Sequence, residues 1–204
     1  MKITNDSVRR AHVTHTYVYW DDVFTDDELN KICEISKNKP LDTGKTLDDS
    51  YNLAEYRISK INFSTKNETN EWIFNKLNNL IEHINDVYFN YDLNGYDVYQ
   101  YAEYDSTELG KYDYHMDLSS NGSNLREGET IETRKLSFSL LLNDPVVDFD
   151  GGDFVIKIGE EDTKIEFKKG RIVFFPSYTL HKVNPVIRGI RKSLVVWVTG
   201  PKFK

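Results

Sequence analysis

The chain has 204 residues, 39% hydrophobic and 13% aromatic, with 13 Tyr and 11 Phe, a globular composition that excludes a disordered or low-complexity protein and can build a core without disulfides. A formal net charge of −7 argues against broad nucleic-acid binding, and no apolar stretch is long enough to span a bilayer, so neither nucleic acid nor membrane is an expected partner. The single cysteine, Cys33, fits a reducing compartment, and the polar start Met1-Lys2-Ile3-Thr4-Asn5-Asp6 has no secretory apolar run, so the expected location is cytoplasmic.

Residues 15–23 read as a short strand. Thr25, followed three residues later by Glu28, forms a capping box that opens a helix carrying Leu29, Ile32, Cys33 and Ile35 and ending near Pro40. Residues 41–52 are polar and turn-rich, and 56–63 read as a strand. The longest helix is predicted over 69–88, where Trp72, Ile73, Leu77, Leu80, Ile81, Ile84 and Val87 fall at helical spacing. Beyond Gly95 that periodicity stops. Strands are predicted over 96–104, 112–118, 135–142, 153–158, 163–167, 171–175 and 193–198. Asn143-Asp144-Pro145, Gly151-Gly152 and Lys169-Gly170 mark turns between them. Many short strands at fairly regular spacing indicate an antiparallel sandwich or barrel, with the two N-terminal helices packed on one outer face. The chain reads as one domain, with 1–95 as an α+β support and 96–204 as the β core.

Two segments carry chemistry. On a strand, side chains two apart point the same way, so His115 and Asp117 offer an imidazole and a carboxylate to one point in space. These are two of the three ligands of a facial triad, which leaves metal positions open for substrate and O₂. By itself such a pair arises easily by chance. His181 lies in polar surroundings just past the apolar strand 171–175 and is the third candidate ligand. Arg191 opens the last strand, and its planar guanidinium suits a carboxylate. A metal with an open shell beside a carboxylate clamp is what a chelating 2-oxo acid needs.

In order, the relevant stretches are Tyr104 with Gly110-Lys111-Tyr112-Asp113-Tyr114-His115-Met116-Asp117, then Leu136 to Asn143, then Gly151-Gly152-Asp153-Phe154. Phe174-Phe175-Pro176 leading to His181-Lys182-Val183 comes next, and Arg188-Gly189-Ile190-Arg191-Lys192-Ser193-Leu194 with Trp197 is last. As a set they resemble the prolyl 4-hydroxylase-like branch of the 2-oxoglutarate- and iron-dependent dioxygenases. The resemblance runs from about Tyr96 to Trp197, and Tyr17 to Ile35 also looks like that branch.

The resemblance implies a mainly β fold with flanking helices: a double-stranded β-helix (jelly-roll, cupin-like) with iron at one open end. It implies His115, Asp117 and His181 as iron(II) ligands and catalytic residues, Arg191 as partner of the distal carboxylate of 2-oxoglutarate, and Tyr104 or Tyr112 as pocket lining. Some relatives place a tyrosine on the strand after the His-x-Asp loop to share that carboxylate. Here the matching position is Leu141, which leaves Tyr101 and Ser193 as substitute partners. The implied cofactors are Fe(II), 2-oxoglutarate and O₂, with ascorbate as an accessory. The implied reaction is hydroxylation of a peptidyl proline in a protein or peptide substrate, coupled to decarboxylation of 2-oxoglutarate to succinate. The same mechanism on another side chain, a free amino acid or a nucleobase stays open, and a non-enzymatic metal-binding β-sandwich module is the third reading.

His12, His15 and His83 lack ligand spacing and read as structural or exposed; Cys33 falls on an apolar helix stripe. Segments 41–52 and 119–134 are long, polar and Gly-bearing, as lids or binding loops are. Their charges are mixed, Lys45, Arg126 and Arg134 against Asp48, Asp49, Glu127, Glu129 and Glu132, which favours no substrate charge.

Overall fold

The computed structural model describes residues 15–44, 56–118 and 132–202. Strand β1 (Val18–Trp20) leads into helix α1 (Asp26–Lys37). The capping box forms: Thr25 Oγ1 accepts from the Glu28 N–H at 3.3 Å, and Glu28 Oε2 accepts from the Thr25 N–H at 2.8 Å. Short strands β2 (Asp42–Thr43), β3 (Arg57–Ile58) and β4 (Lys60–Thr65) precede helix α2 (Glu71–Ile84). Asn75, Asn78 and Asn79 in α2 are poor helix formers, each costing up to about 0.7 kcal/mol. Six buried apolar side chains, Ile73, Phe74, Leu77, Leu80, Ile81 and Ile84, outweigh that at roughly 1.5–3 kcal/mol each. The helical stretch runs on past Ile84 to Phe89, close to the predicted 88. Residues Asn85–Phe89 widen into a π-turn, and the Asn85 side chain bonds the Tyr91 backbone twice at 2.9 Å.

The β region follows: β5 (Val98–Asp105), β6 (Lys111–His115), β7 (Thr133–Leu141), β8 (Phe149–Gly151), β9 (Phe154–Ile158), β10 (Glu161–Lys164), β11 (Ile172–Pro176), β12 (His181–Val183) and β13 (Val186–Gly200). The larger sheet runs β1-β11-β7-β13-β5-β4-β2 with β8 on β13; the smaller runs β10-β9-β12-β6-β3. The two sheets enclose an apolar interior that includes Ala102, Leu141, Phe154, Ile156, Val173 and Phe175. Both helices pack on the outer face of the larger sheet, where Leu29, Ile32, Ile73 and Leu77 meet Tyr99, Leu136, Phe138, Phe174 and Val196. This is the expected double-stranded β-helix with two helices on one face.

Strand alternation separates the two cores. On β7, Leu136, Phe138 and Leu140 face the helices while Leu141 faces the interior; on β5, Tyr99 and Tyr101 face the helices while Ala102 and Tyr104 face inward. Sequence periodicity missed β8, β12 and the first half of β13. Ile187-Arg188-Gly189 lies inside one long strand. Gly189 sits at φ 69°, where an added Cβ would lie 2.0 Å from the Asp148 carbonyl oxygen. Of the long polar segments, 45–52 and 119–131 lie outside the described residues, as does His12. No helix among the described residues is long and apolar enough to cross a membrane.

Candidate metal and cosubstrate site

Strands β6 and β12 pair antiparallel with His181 opposite His115, so the two imidazoles meet with centroids 4.1 Å apart. Sequence placed His115 and Asp117 at the start of a shared strand. The strand ends at His115 instead, and Asp117 lies beyond it, held by its backbone N–H donating to the Ser177 carbonyl at 2.9 Å. Cross-sheet pairing and that one hydrogen bond, not strand alternation alone, aim the carboxylate. Asp117 Oδ1 is 3.7 Å from His115 Nε2, and Oδ2 is 3.6 Å from His181 Nε2. All three donor atoms lie within 4.8 Å of one another.

The other ring nitrogens set the tautomers. His115 Nδ1 is 2.8 Å from the Asp113 carbonyl, and His181 Nδ1 is 2.9 Å from the Thr179 carbonyl. A carbonyl only accepts, so each Nδ1 carries the proton and each Nε2 turns a lone pair toward Asp117. Burial, reinforced by His181, pushes the His115 pKa down to about 3, which keeps that ring neutral, as a ligand must be. Burial works against ionising Asp117, but the neighbouring His181 and His115 hold its carboxyl below the usual range. Asp117 Oδ2 is buried with no hydrogen-bond partner among the described residues, an arrangement that costs about 1–3 kcal/mol unless a cation completes it. Two imidazole nitrogens and one carboxylate, converging and unsatisfied, fit a non-haem iron(II) ion.

Behind the triad a narrow cavity is lined by Tyr104, Tyr112, Arg191, Ser193 and the triad itself. Arg191 is 2% exposed. Its Nη1 donates to Ser193 Oγ at 3.1 Å, while Nη2 is buried with no partner among the described residues. Burial lowers its pKa, with Tyr104 and Asp153 opposing. Room for the stem comes from Gly152, at φ 63°, where a Cβ would lie 2.9 Å from Arg191 Cδ. The register on β13 places Arg191 opposite Tyr104, and Ser193 opposite Ala102 and Leu141.

Of the residues singled out from sequence, His115, Asp117, His181, Arg191, Tyr104, Tyr112 and Ser193 share this cavity. Tyr112 stacks on the His115 ring at 3.5 Å. Tyr101 does not belong to the site. It occupies the helix-facing side of β5, and its hydroxyl donates to Glu103 Oε1 at 2.7 Å; one odd step along a strand turns the side chain to the other face. Leu141 is a fully buried apolar part of the interior. His15 packs edge-on against Tyr88 and His83 against Trp20, both away from the triad. Sequence reasoning missed Arg57, buried on β3, whose Nε donates to Ser59 Oγ at 2.8 Å and whose guanidinium lies 4.4 Å from the Tyr112 ring centre. No spacing signal marks it; a lone arginine opening a two-residue strand looks like a surface charge. In front of the triad an open cleft of about 1030 Å³ is lined by Tyr56, Arg57, Phe63, Arg134 and Trp197 among others.

Residues 99–199 match the 2OG-Fe(II) oxygenase superfamily. That stretch belongs to the superfamily. A PKHD-type hydroxylase of Stutzerimonas stutzeri is 36% identical over 92 residues, 45% of this chain and 39% of that protein; the chain thus spans about two fifths of that curated relative. Among solved structures, a prolyl-4-hydroxylase of Pseudomonas putida superposes with TM-score 0.67 at 21% identity, covering 93% of this chain and 95% of that one. A prolyl hydroxylase of Trichoplax adhaerens, in complex with a hypoxia inducible factor oxygen degradation domain peptide fragment, superposes with TM-score 0.70 at 18% identity, covering 90% and 83%. The chain shares the fold of these two structures.

Proposed function

We propose that the protein is an Fe(II)- and 2-oxoglutarate-dependent hydroxylase acting on a peptidyl proline, with His115, Asp117 and His181 holding the iron and Arg191 the distal carboxylate of 2-oxoglutarate. The observation that carries the reading is Arg191: a buried guanidinium with one nitrogen unsatisfied among the described residues, lining the same narrow cavity as the triad. Leaving a buried charge unpaired is costly, so the site calls for an anion. When bound, iron(II) with 2-oxoglutarate and O₂ would supply the oxidising chemistry, one oxygen atom of O₂ ending in the substrate C–OH and the other in the succinate formed with CO₂ from 2-oxoglutarate.

The chain's residues bind, orient and exclude water. The Nδ1 hydrogen bonds of His115 and His181 stop the rings rotating, so both Nε2 lone pairs stay converged with Asp117. Ser193 aims the guanidinium through its bond to Nη1. Phe175 and Phe154 pack on the His181 ring at centroid distances of 4.6 and 5.5 Å and keep that side of the site dry, which strengthens every charge interaction inside it. Tyr104 and Tyr112 wall the cavity, and the cleft in front has room for an extended peptide.

A peptidyl proline is supported by the prolyl hydroxylases that share the fold, one of them in complex with a peptide. The test is a screen of proline-containing peptides, free amino acids and nucleobases with iron(II), 2-oxoglutarate and O₂, read by mass spectrometry for the gain of one oxygen and by succinate release. Hydroxylation of proline in a peptide is the expected result. Oxygen appearing on a free amino acid or a base, with every peptide unchanged, would overturn the prolyl assignment.

A further inference from the structure

Arg134 opens β7 at the edge of the open cleft. Two features fix it in place. Its guanidinium carbon lies 4.2 Å from the Trp197 ring centre, and Nη1 donates at 3.4 Å to the backbone carbonyl of Asp117. Neither contact neutralises its charge. Arg171 and Arg188 each hold an aspartate, Asp21 at 2.8 Å and Asp150 at 2.7 Å. Arg134 has no carboxylate within ion-pair distance among the described residues. The nearby Asp117 hydrogen-bonds it only through a backbone oxygen; the Asp117 carboxylate acts on it at longer range, its oxygens facing the two imidazoles. Glu132, close in sequence, is turned away: its carboxylate accepts from Asn94 at 2.7 Å and from Thr199 at 2.6 Å. Glu132 and Arg134, two apart in the sequence, therefore separate in space, and Arg134 is the one that lines the cleft.

The rest of the lining agrees. Arg57 lines the same cleft, and the acids there are Asp42 at its rim and Asp117 in the triad. On a chain of net charge −7, the described lining balances two arginines against two carboxylates, and Asp117 is committed to the two imidazoles. Tyr56, Phe63, Tyr112 and Trp197 supply apolar walls around it, and a guanidinium already stacked on an indole keeps its outward edge free for a planar carboxylate.

We infer that Arg134 receives a carboxylate of the substrate, so that the preferred substrate carries an acidic group close to the carbon that is hydroxylated. The inference rests on the hydroxylase reading above and narrows its substrate class. The carboxylate belongs either to an acidic residue near the target in a peptide or to the α-carboxylate of a small molecule.

The experiment compares matched pairs in the loaded enzyme: proline peptides with Glu or Gln at each position flanking the proline, and free proline against prolinamide, which separates the two sources. The acid of the productive pair is expected to exceed its amide in kcat/KM by about tenfold, equivalent to about 1.4 kcal/mol. Arg134→Gln should bring the pair to within about twofold while the KM for 2-oxoglutarate stays put, and Arg134→Lys should keep part of the preference. Equal rates for acid and amide in the unmodified enzyme, or a preference that survives Arg134→Gln, would overturn the assignment. If nothing in the set is hydroxylated, the prolyl reading fails separately. The same pairs are then compared by equilibrium binding to the iron- and 2-oxoglutarate-loaded protein under argon, where acids binding no tighter than amides refute the role of Arg134.

Discussion

Replacing Arg191 with Met separates the cost of a buried charge from the benefit of its ligand. The guanidinium is 2% exposed, holds one hydroxyl at 3.1 Å and has no partner for Nη2 among the described residues. Methionine fills a similar stem volume beside Gly152 and needs no partner. Exchange of buried ionic groups for apolar ones of like size is often neutral or stabilising by about 1–4 kcal/mol. Arg191→Met should therefore melt at or above the wild-type temperature when no ligand is present. Binding should move the opposite way. A desolvated, hydrogen-bonded charge pair is worth about 2–5 kcal/mol on truncation, so the KM for 2-oxoglutarate should rise roughly 30-fold to several-thousand-fold. Thermal shift provides a second reading. At about 100 times Kd a ligand stabilises by about 2.7 kcal/mol, and for a chain of this size that is a rise of roughly 5–10 °C in Tm. The wild type should show this rise with 2-oxoglutarate under argon, and Arg191→Met at the same concentration should not. A KM within about threefold of wild type, or an equal thermal shift in both proteins, would place the clamp elsewhere and refute the argument from the unsatisfied nitrogen.

His115→Ala and Asp117→Ala should each lose bound iron, measured by metal analysis after gel filtration, and bring succinate formation to background; turnover at the native rate in either variant would remove that residue from the ligand set. Gly152→Ala forces a Cβ to 2.9 Å from both Arg191 Cδ and Val186 Cγ2 at a φ of 63°, so it should cost about 1–3 kcal/mol by denaturant titration and raise the 2-oxoglutarate KM; an unaltered KM would mean the arginine stem is not confined by this turn. Arg171 holds Asp21 and depresses its carboxyl pKa. A depressed carboxyl stabilises above its unfolded value of about 3.9 and loses that contribution as pH falls through the folded value. Asp21→Asn should thus lower stability near neutral pH and converge with wild type in strong acid, as followed by melting from pH 7 to pH 2; a gap that persists unchanged into acid would contradict the pairing.

Local signals in the sequence pointed to the candidate site and to the outline of the fold. A capping box, a helical stripe and a run of short alternating strands are local signals, set by residues within a turn or two of one another, and they delimited both helices and most of the strands. His115, Asp117, His181 and Arg191 were legible because an imidazole, a carboxylate and a guanidinium in that order have few other uses together. What needed the tertiary structure was every fact that depends on which residues meet across the sheets. The pairing of β6 with β12 put His115 beside His181, and the Ser177 carbonyl aimed Asp117 from beyond its strand. One step of alternation on β5 sent Tyr101 to the helices and Tyr104 to the cavity. Arg57 carried no sequence signal, and Arg134 was one of a mixed set of charges, because net charge along a segment says nothing about direction. Only the folded chain turned Glu132 toward Asn94 and Thr199 and left Arg134 facing the cleft. Burial and orientation are properties of contacts distant in sequence, and those contacts decide what a charged side chain is for.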